Sequence, residues 1–207
     1  VLTETTADLA WALIMSCARR IVEADCFVRE GKFQGWEPML MLGNDIFGKT
    51  LGIIGMGRIG RAVAHRALGF DMKVIYYDPQ VDPESLPSDY VSVDLTTLCQ
   101  NSDFISIHTP LTPETRHLIG EKEFNLMKPT AILINTARDP IIDEQALISA
   151  LKENKIAGAG LDVYENEPVI PEELMALSNV ILLPHIGSAS YETRTKMALL
   201  AAENAIA

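Results

Sequence analysis

Residues 51–78 limit the possible folds of this chain more than any other segment. Leu51-Gly52-Ile53-Ile54 reads as a short buried strand, and Gly55-Met56-Gly57-Arg58-Ile59-Gly60 follows it as Gly-x-Gly-x-x-Gly. A strand that turns at once into a helix needs each glycine for its own reason. Gly55 permits the tight turn, Gly57 keeps the backbone open to a ligand, and Gly60 lets the helix starting near Arg58 lie close on its strand. That helix start also leaves amide hydrogens unpaired and carries a partial positive charge, which suits a phosphate. A second strand, Lys73-Val74-Ile75-Tyr76-Tyr77, runs into Asp78. Strand, glycines, helix, strand and acid in this order form a dinucleotide cradle, with the pyrophosphate on the turn and a ribose hydroxyl pair on Asp78. A carboxylate there accepts from a 2'-hydroxyl and repels a 2'-phosphate, and Pro79-Gln80 brings no arginine. The expected cofactor is therefore NAD, with NADH preferred over NADPH.

The remaining pattern alternates. Strands are expected near Val91 and over residues 104–108, 131–135, 157–162 and 180–183; helices are expected over 95–100, 121–127, 143–153, 172–177 and 191–206. This predicts an α/β protein of Rossmann type: a doubly wound, mainly parallel sheet with helices on both faces. Residues 1–49 form a separate region before the dinucleotide-binding domain at 50–207. In that region a long helix capped by Thr5 or Thr6 is expected to end before Gly31, followed by a packed loop containing Gly35, Trp36, Pro38, Gly43 and Gly48. Leu9, Ala10, Leu13, Ile14 and Met15 give the helix an apolar surface, which with the Trp36 loop is expected to join two copies as a homodimer. Val1 at one end and an alanine-rich helix at the other suggest a domain cut from a longer chain.

Composition narrows the partners. The net charge of −11 disfavours nucleic acid and anionic membrane, and 48% hydrophobic residues over 207 positions supply a core. Cys17, Cys26 and Cys99 have neither disulfide nor zinc spacing, so no metal site is expected and the thiols suit a reducing cytoplasm. The longest apolar stretch, residues 9–15, is too short to cross a bilayer.

Open parallel sheets bind ligands beyond the carboxyl ends of their strands. Thr109-Pro110, Asn135-Thr136-Ala137-Arg138, Asp162 and His185 all follow apolar runs and are expected to face the glycine turn. Spacing alone leaves alternatives open. His185 also suits a satisfied loop, Glu167 a solvated acidic stretch with Glu165, Arg138 an ion pair with Asp139 or Asp143, and Asp162 a strand end. His65 and His117 read as surface or helix-packing residues, and Trp11, Met15 and Trp36 as core or interface.

Several longer motifs converge: His108-Thr109-Pro110-Leu111-Thr112, Ile134-Asn135-Thr136-Ala137-Arg138, Gly160-Leu161-Asp162-Val163-Tyr164 continuing to Glu167-Pro168, and Leu183-Pro184-His185-Ile186-Gly187-Ser188. With these and the glycine turn, the chain resembles the NAD-binding domain of the D-isomer-specific 2-hydroxyacid dehydrogenases, most nearly the glyoxylate and hydroxypyruvate reductase branch. The resemblance implies hydride transfer between NAD(H) and a small 2-oxo or 2-hydroxy acid. It makes His185 the general acid, Glu167 its orienting carboxylate, Arg138 the anchor of the substrate carboxylate, and Asp162 a supporting acid. The implied cofactor contacts are Gly55, Gly57, Arg58, Ile59, Gly60, Asp78, Thr109, Pro110, Thr115, Thr136, Ala137, Arg138, Asp162, His185, Gly187 and Ser188. The family's substrate domain, built from flanking segments, is absent from this chain. The chain departs from the family in placing Asp139 after the arginine, where glycine is usual. A carboxylate there threatens to neutralise Arg138 or repel an anionic substrate, although Pro140 already biases residue 139 toward extended backbone. Related corepressors keep the same Arg, Glu and His, so a noncatalytic NAD(H)-sensing protein is the alternative; a methyltransferase leaves the later motifs without a role.

Overall fold

A computed structural model describes residues 1–206. Seven strands make one sheet: β1 (Thr50–Ile54), β2 (Lys73–Tyr77), β3 (Tyr90–Ser92), β4 (Phe104–Ile107), β5 (Ile132–Asn135), β6 (Gly158–Leu161) and β7 (Val180–Leu182). All neighbours are parallel, in the order β3-β2-β1-β4-β5-β6-β7. The chain reverses its winding between β1 and β4, which opens the crevice where such sheets bind ligands. Eight α-helices accompany the sheet: α1 (Thr3–Ala18), α2 (Ile21–Arg29), α3 (Arg58–Ala67), α4 (Leu95–Asn101), α5 (Glu121–Leu126), α6 (Glu144–Lys152), α7 (Glu172–Met175) and α8 (Tyr191–Ile206).

Alternate strand residues feed opposite layers, as a period of two requires. Leu51, Ile53, Phe104, Ile132 and Ile134 pack with Ala10, Leu13 and Ile14 of α1 and Val63 and Ala64 of α3. Ile54, Ile105, Ile107 and Leu133 pack on the other side with Leu98 of α4, Phe124 of α5 and Leu147 of α6. Because both faces are covered, β4, β5 and β6 are buried along their whole length. This is the doubly wound architecture that the alternation predicted. Among the described residues no helix is long and apolar enough to cross a membrane.

The N-terminal region differs from expectation in three ways. The single long helix is two, broken where Arg20 takes a left-handed φ of 53°. The break follows from packing: the Ala18 carbonyl accepts from the Asn44 amide at 2.8 Å instead of continuing the helix. Gly43 passes so close that a Cβ there would lie 2.3 Å from the same oxygen. Second, neither Thr5 nor Thr6 caps α1, whose cap position is Leu2; the Thr6 hydroxyl instead donates to the Gly187 carbonyl at 3.2 Å. Third, Ala10, Leu13 and Ile14 are buried against the sheet and form no free surface. Of the residues named for that surface Met15 stays exposed. Most other exposed apolar groups of this region lie further on, among them Val22 and Val28 of α2 and Phe33, Trp36, Met39 and Phe47. The loop expected to pack thus leaves Trp36 84% exposed.

Candidate active site

The glycine turn separates the constraints of the fold from those of a ligand. Gly55 has φ +94°, and a Cβ on it would lie 2.4 Å from the Thr109 amide nitrogen. A Cβ on Gly60 would lie 2.1 Å from the Gly55 carbonyl oxygen, so the fold itself requires both glycines. Gly57 is different: a Cβ there meets nothing within 4 Å. Nothing in the protein forbids a side chain at this point, and the space is open for a bound group. Gly57 also starts α3 without a side-chain cap, and the first helical bond runs from the Arg61 amide to its carbonyl at 3.0 Å. The preceding amides, those of Arg58, Ile59 and Gly60, have no intrahelical acceptor. Asp78, at the end of β2, accepts from the Met56 amide at 2.7 Å and the Gln80 amide at 2.9 Å. Its carboxylate therefore also fixes the glycine loop, a role not assigned from sequence.

A cleft of about 680 Å³ opens at the carboxyl ends of the strands. Arg58, Ile59, Thr109, Pro110, Thr136 and Ala137 line it, with Arg138, Asp162, His185, Gly187 and Ser188 completing the wall. Gly55, Gly57, Gly60 and Asp78 form the adjoining turn and do not line it. Thr115 stays outside as well: its hydroxyl donates to the Pro110 carbonyl at 2.7 Å and closes the turn at 112–115, so the structure does not bring it to the cleft. Leu2, Thr6, His108 and Leu111 line the cleft without having been singled out from sequence. Leu2 and Thr6 arrive because α1 lies against the sheet, which no local pattern reveals; His108 and Leu111 sit inside a motif whose other members drew attention.

The imidazole of His185 lies on the rim with Nδ1 2.8 Å from a Glu167 carboxylate oxygen. The other Glu167 oxygen accepts from the Tyr164 amide at 3.1 Å. Burial opposes ionisation of Glu167, but the hydrogen bonds from His185 and Tyr164, with the charges of His185 and Arg138, outweigh it and hold the carboxyl below its usual range. His185 has φ +56°, a left-handed conformation uncommon outside glycine, although histidine, like asparagine and aspartate, adopts it more readily than most residues. Asp162 sustains it. That residue is 1% exposed, and its two oxygens accept from the Ile186 amide at 2.8 Å and the Gly187 amide at 2.7 Å. Burial raises the Asp162 carboxyl, while these two amides favour its charged form.

Arg138 is exposed at the cleft, with one guanidinium nitrogen 2.6 Å from the Ala137 carbonyl. It makes no ion pair with Asp139 or Asp143 among the described residues. Asp143 caps α6 by accepting from the Ala146 amide at 3.0 Å. Asp139 is 2% exposed and turned inward, where it accepts from the Asn135 amide group at 3.3 Å. The carboxylate next to the arginine in sequence thus turns inward and makes no ion pair with it. Glu165 itself is partly buried, accepting from Arg116 at 2.9 Å and pairing with His117 at 3.0 Å, while Asn166 and Glu167 beside it are exposed. His117 therefore has a partner, while His65 lies on the surface.

The cleft fits a dinucleotide. Free helix amides and the open space over Gly57 suit the pyrophosphate. The buried Thr136 hydroxyl has no protein partner, and neither does Nδ1 of His108. Burial pushes the His108 imidazole down to about 3, so it stays neutral, and its Nε2 is 2.8 Å from the Ser106 hydroxyl. A second cavity, about 700 Å³, lies at the opposite ends of β5 to β7 beside Cys17, whose thiol burial pushes up to about 12.

The chain is similar in sequence and fold to known proteins. Residues 11–187 match the NAD binding domain of the D-isomer specific 2-hydroxyacid dehydrogenases. A glyoxylate reductase of Thermococcus litoralis is 58% identical, across 100% of this chain and 64% of that protein. An NADPH-dependent glyoxylate/hydroxypyruvate reductase of Sinorhizobium meliloti, solved with NADP and malonate, superposes with a TM-score of 0.89 at 36% identity, over 96% of this chain and 62% of that one. A D-lactate dehydrogenase of Lactobacillus jensenii, solved with NAD+, gives 0.85 at 35% identity, over 98% and 64%. This chain therefore spans a little under two-thirds of the length of these relatives. From its matching motifs, its parallel sheet and the glycine turn beside its cleft, the chain belongs to the D-isomer specific 2-hydroxyacid dehydrogenase family, of which it carries the NAD binding domain.

Proposed function

We propose that this chain is the cofactor-binding part of an oxidoreductase that reduces a 2-oxo acid of the glyoxylate or hydroxypyruvate kind with NADH. The observation carrying this reading is the 2.8 Å pairing of His185 with Glu167 on the cleft that also presents Arg138. A bound nicotinamide supplies a hydride to the carbonyl carbon of the substrate. The chain's own residues do the rest. The planar fork of Arg138 receives the substrate carboxylate. With Nδ1 held by Glu167, His185 keeps Nε2 as the ring nitrogen that delivers a proton to the carbonyl oxygen. Glu167 fixes the ring, and Asp162 holds the loop that carries it. The α3 amides and the space over Gly57 take the pyrophosphate; Thr109, Thr136, Ala137 and Ser188 surround the remainder. Steady NADH consumption by the full-length protein, measured across a panel of 2-oxo acids, tests the reading. Tight NADH binding without turnover on any of them would point instead to a noncatalytic NAD(H) sensor.

Asp78 supports NADH over NADPH. A 2'-hydroxyl gains a hydrogen bond to a charged acceptor, which contributes about 1.5 to 3 kcal/mol, or roughly a 10- to 150-fold preference. Calorimetry should find that gap in the unmutated chain, and equal affinities would remove Asp78 from this role. Asp78→Asn is the better comparison than alanine, because an amide oxygen still accepts from the Met56 amide that holds the loop.

Residues 1–49 contribute α1 to the domain and, in this reading, a dimer contact through α2 and the loop beyond it. Phe33, Trp36, Met39 and Phe47 present largely exposed apolar side chains. Sedimentation should show a dimer, and Trp36→Glu should weaken it by about 2 kcal/mol or more, as loss of a central aromatic anchor does. A monomer at high concentration contradicts the assignment. The net charge of −11 fits a small-molecule partner over nucleic acid or anionic membrane, and buried unpaired Cys99 fits a reducing cytoplasm.

A further inference from the structure

The loop after β6 is hydrogen-bonded to the loop after β7, and Tyr164 serves both members of the His185–Glu167 pair. Its side chain is 5% exposed and belongs to the core layer that contains Leu98, Phe124 and Leu147. Its amide donates to one Glu167 oxygen at 3.1 Å, while the other oxygen of that carboxylate meets Nδ1 of His185 at 2.8 Å. Its phenol reaches the second loop and donates to the Leu183 carbonyl at 2.8 Å. Leu183 stands two residues before His185, with Pro184 between them. The Leu183 amide donates to the Leu161 carbonyl at 2.8 Å, where the ladder between β6 and β7 ends. Pro184 has no amide to donate, and His185 then turns through a left-handed φ of +56°. The next backbone ties, from the Ile186 and Gly187 amides to Asp162, come only after the histidine. Among the described residues the Leu183 carbonyl is thus the last backbone group held before His185, and Tyr164 holds it.

We propose that Tyr164 is a positioning residue for the proton donor: its amide aims Glu167, its hydroxyl sets the turn that carries His185, and one residue thereby fixes both partners. The consequence for turnover rests on His185 as the proton donor of the proposed reduction. Burial and the nearby charge of Asp162 push the Tyr164 phenol up to about 12, so the hydroxyl keeps its proton wherever a histidine titrates. Phenylalanine at this position keeps the ring and the amide and removes only the donor. The half-buried Leu183 carbonyl then loses its partner, and the turn before His185 is free to shift toward water. Glu167 stays held by the amide while the imidazole moves, so the loss falls on the 2.8 Å contact between them. The glycine turn at 55–60 makes none of these bonds, and cofactor binding is spared.

A neutral imidazole whose Nδ1 faces a carboxylate carries its proton on Nδ1, whereas a released ring shows the tautomer mixture of free imidazole. Nitrogen-15 NMR of the histidine-labelled chain at alkaline pH reads that choice without cofactor or substrate. In the unmutated chain the His185 proton is expected on Nδ1. In Tyr164→Phe the His185 signals should move toward the free mixture while those of His65 stay in place. In the full-length protein the same variant should lower kcat about tenfold, with KM and NADH affinity nearly unchanged. His185 signals identical in Tyr164→Phe and the unmutated chain overturn the proposal and leave the pairing with Glu167 standing. A proton on Nε2 in the unmutated chain removes the pairing itself, and the proposal with it. A shifted tautomer with unchanged turnover upholds the positioning and makes His185 the assignment that fails. Should Tyr164→Phe not fold, the unmutated chain still decides: its Tyr164 hydroxyl proton should exchange slowly and lie close to Leu183 by nuclear Overhauser contact, and a rapidly exchanging one overturns the proposal.

Discussion

Replacing His185 with alanine in the full-length protein is expected to lower turnover about a hundredfold or more, with NADH affinity nearly unchanged, because the loss falls on proton delivery in the transition state. The backbone needs a control of its own. His185 holds φ +56°, a left-handed conformation that the native histidine already tolerates better than alanine would. Asparagine tolerates that region better, and His185→Asn should be as slow as alanine while folding more firmly. Near-normal turnover by either variant would remove His185 from the chemistry. Glu165 makes a poor comparison residue for Glu167, since it ties Arg116 and His117 to the loop and its amide reaches Glu144.

The three glycines of the turn should give opposite results. Gly60→Ala drives a methyl to 2.1 Å from the Gly55 carbonyl oxygen, and Gly55→Ala combines a left-handed φ with a 2.4 Å approach to the Thr109 amide. Each should cost about 3 kcal/mol or more, visible as a lower denaturation midpoint. Gly57→Ala places its methyl in open space at φ −72°, an ordinary conformation. Its stability should change by no more than about 1 kcal/mol. NADH affinity should nevertheless fall by about tenfold or more, since the methyl fills the approach to the pyrophosphate. Unchanged affinity in Gly57→Ala would place the cofactor elsewhere.

Local patterns reported the sheet well because each strand has only one neighbourhood to satisfy. The runs at 104–108, 131–135 and 157–162 are largely apolar on both sides of the strand since helices cover both faces, and their buried stretches fold as β4, β5 and β6. The polar residues just beyond them reach one cleft for the same reason. Failures occurred where distant segments decide. The break after Ala18 depends on Asn44 taking its carbonyl, a contact no helical period records. The apolar stripe of α1 reads alike whether its partner is a second subunit or its own sheet, and here it is the sheet. Asp139 lies beside Arg138 in sequence, yet the turn after β5 points the two in opposite directions, one to solvent and one inward to Asn135. Thr115 belongs to the same stretch as Thr109 but spends its hydroxyl on closing a turn.

Hydride transfer to a 2-oxo acid is the central claim, and isotope transfer tests it most directly. Full-length protein incubated with glyoxylate and NADH carrying deuterium on the transferable position at C4 should yield glycolate with deuterium at C2, as mass spectrometry or proton NMR would show. Glycolate without the label, or oxidised cofactor without any labelled 2-hydroxy acid across a panel of 2-oxo acids, would contradict the account.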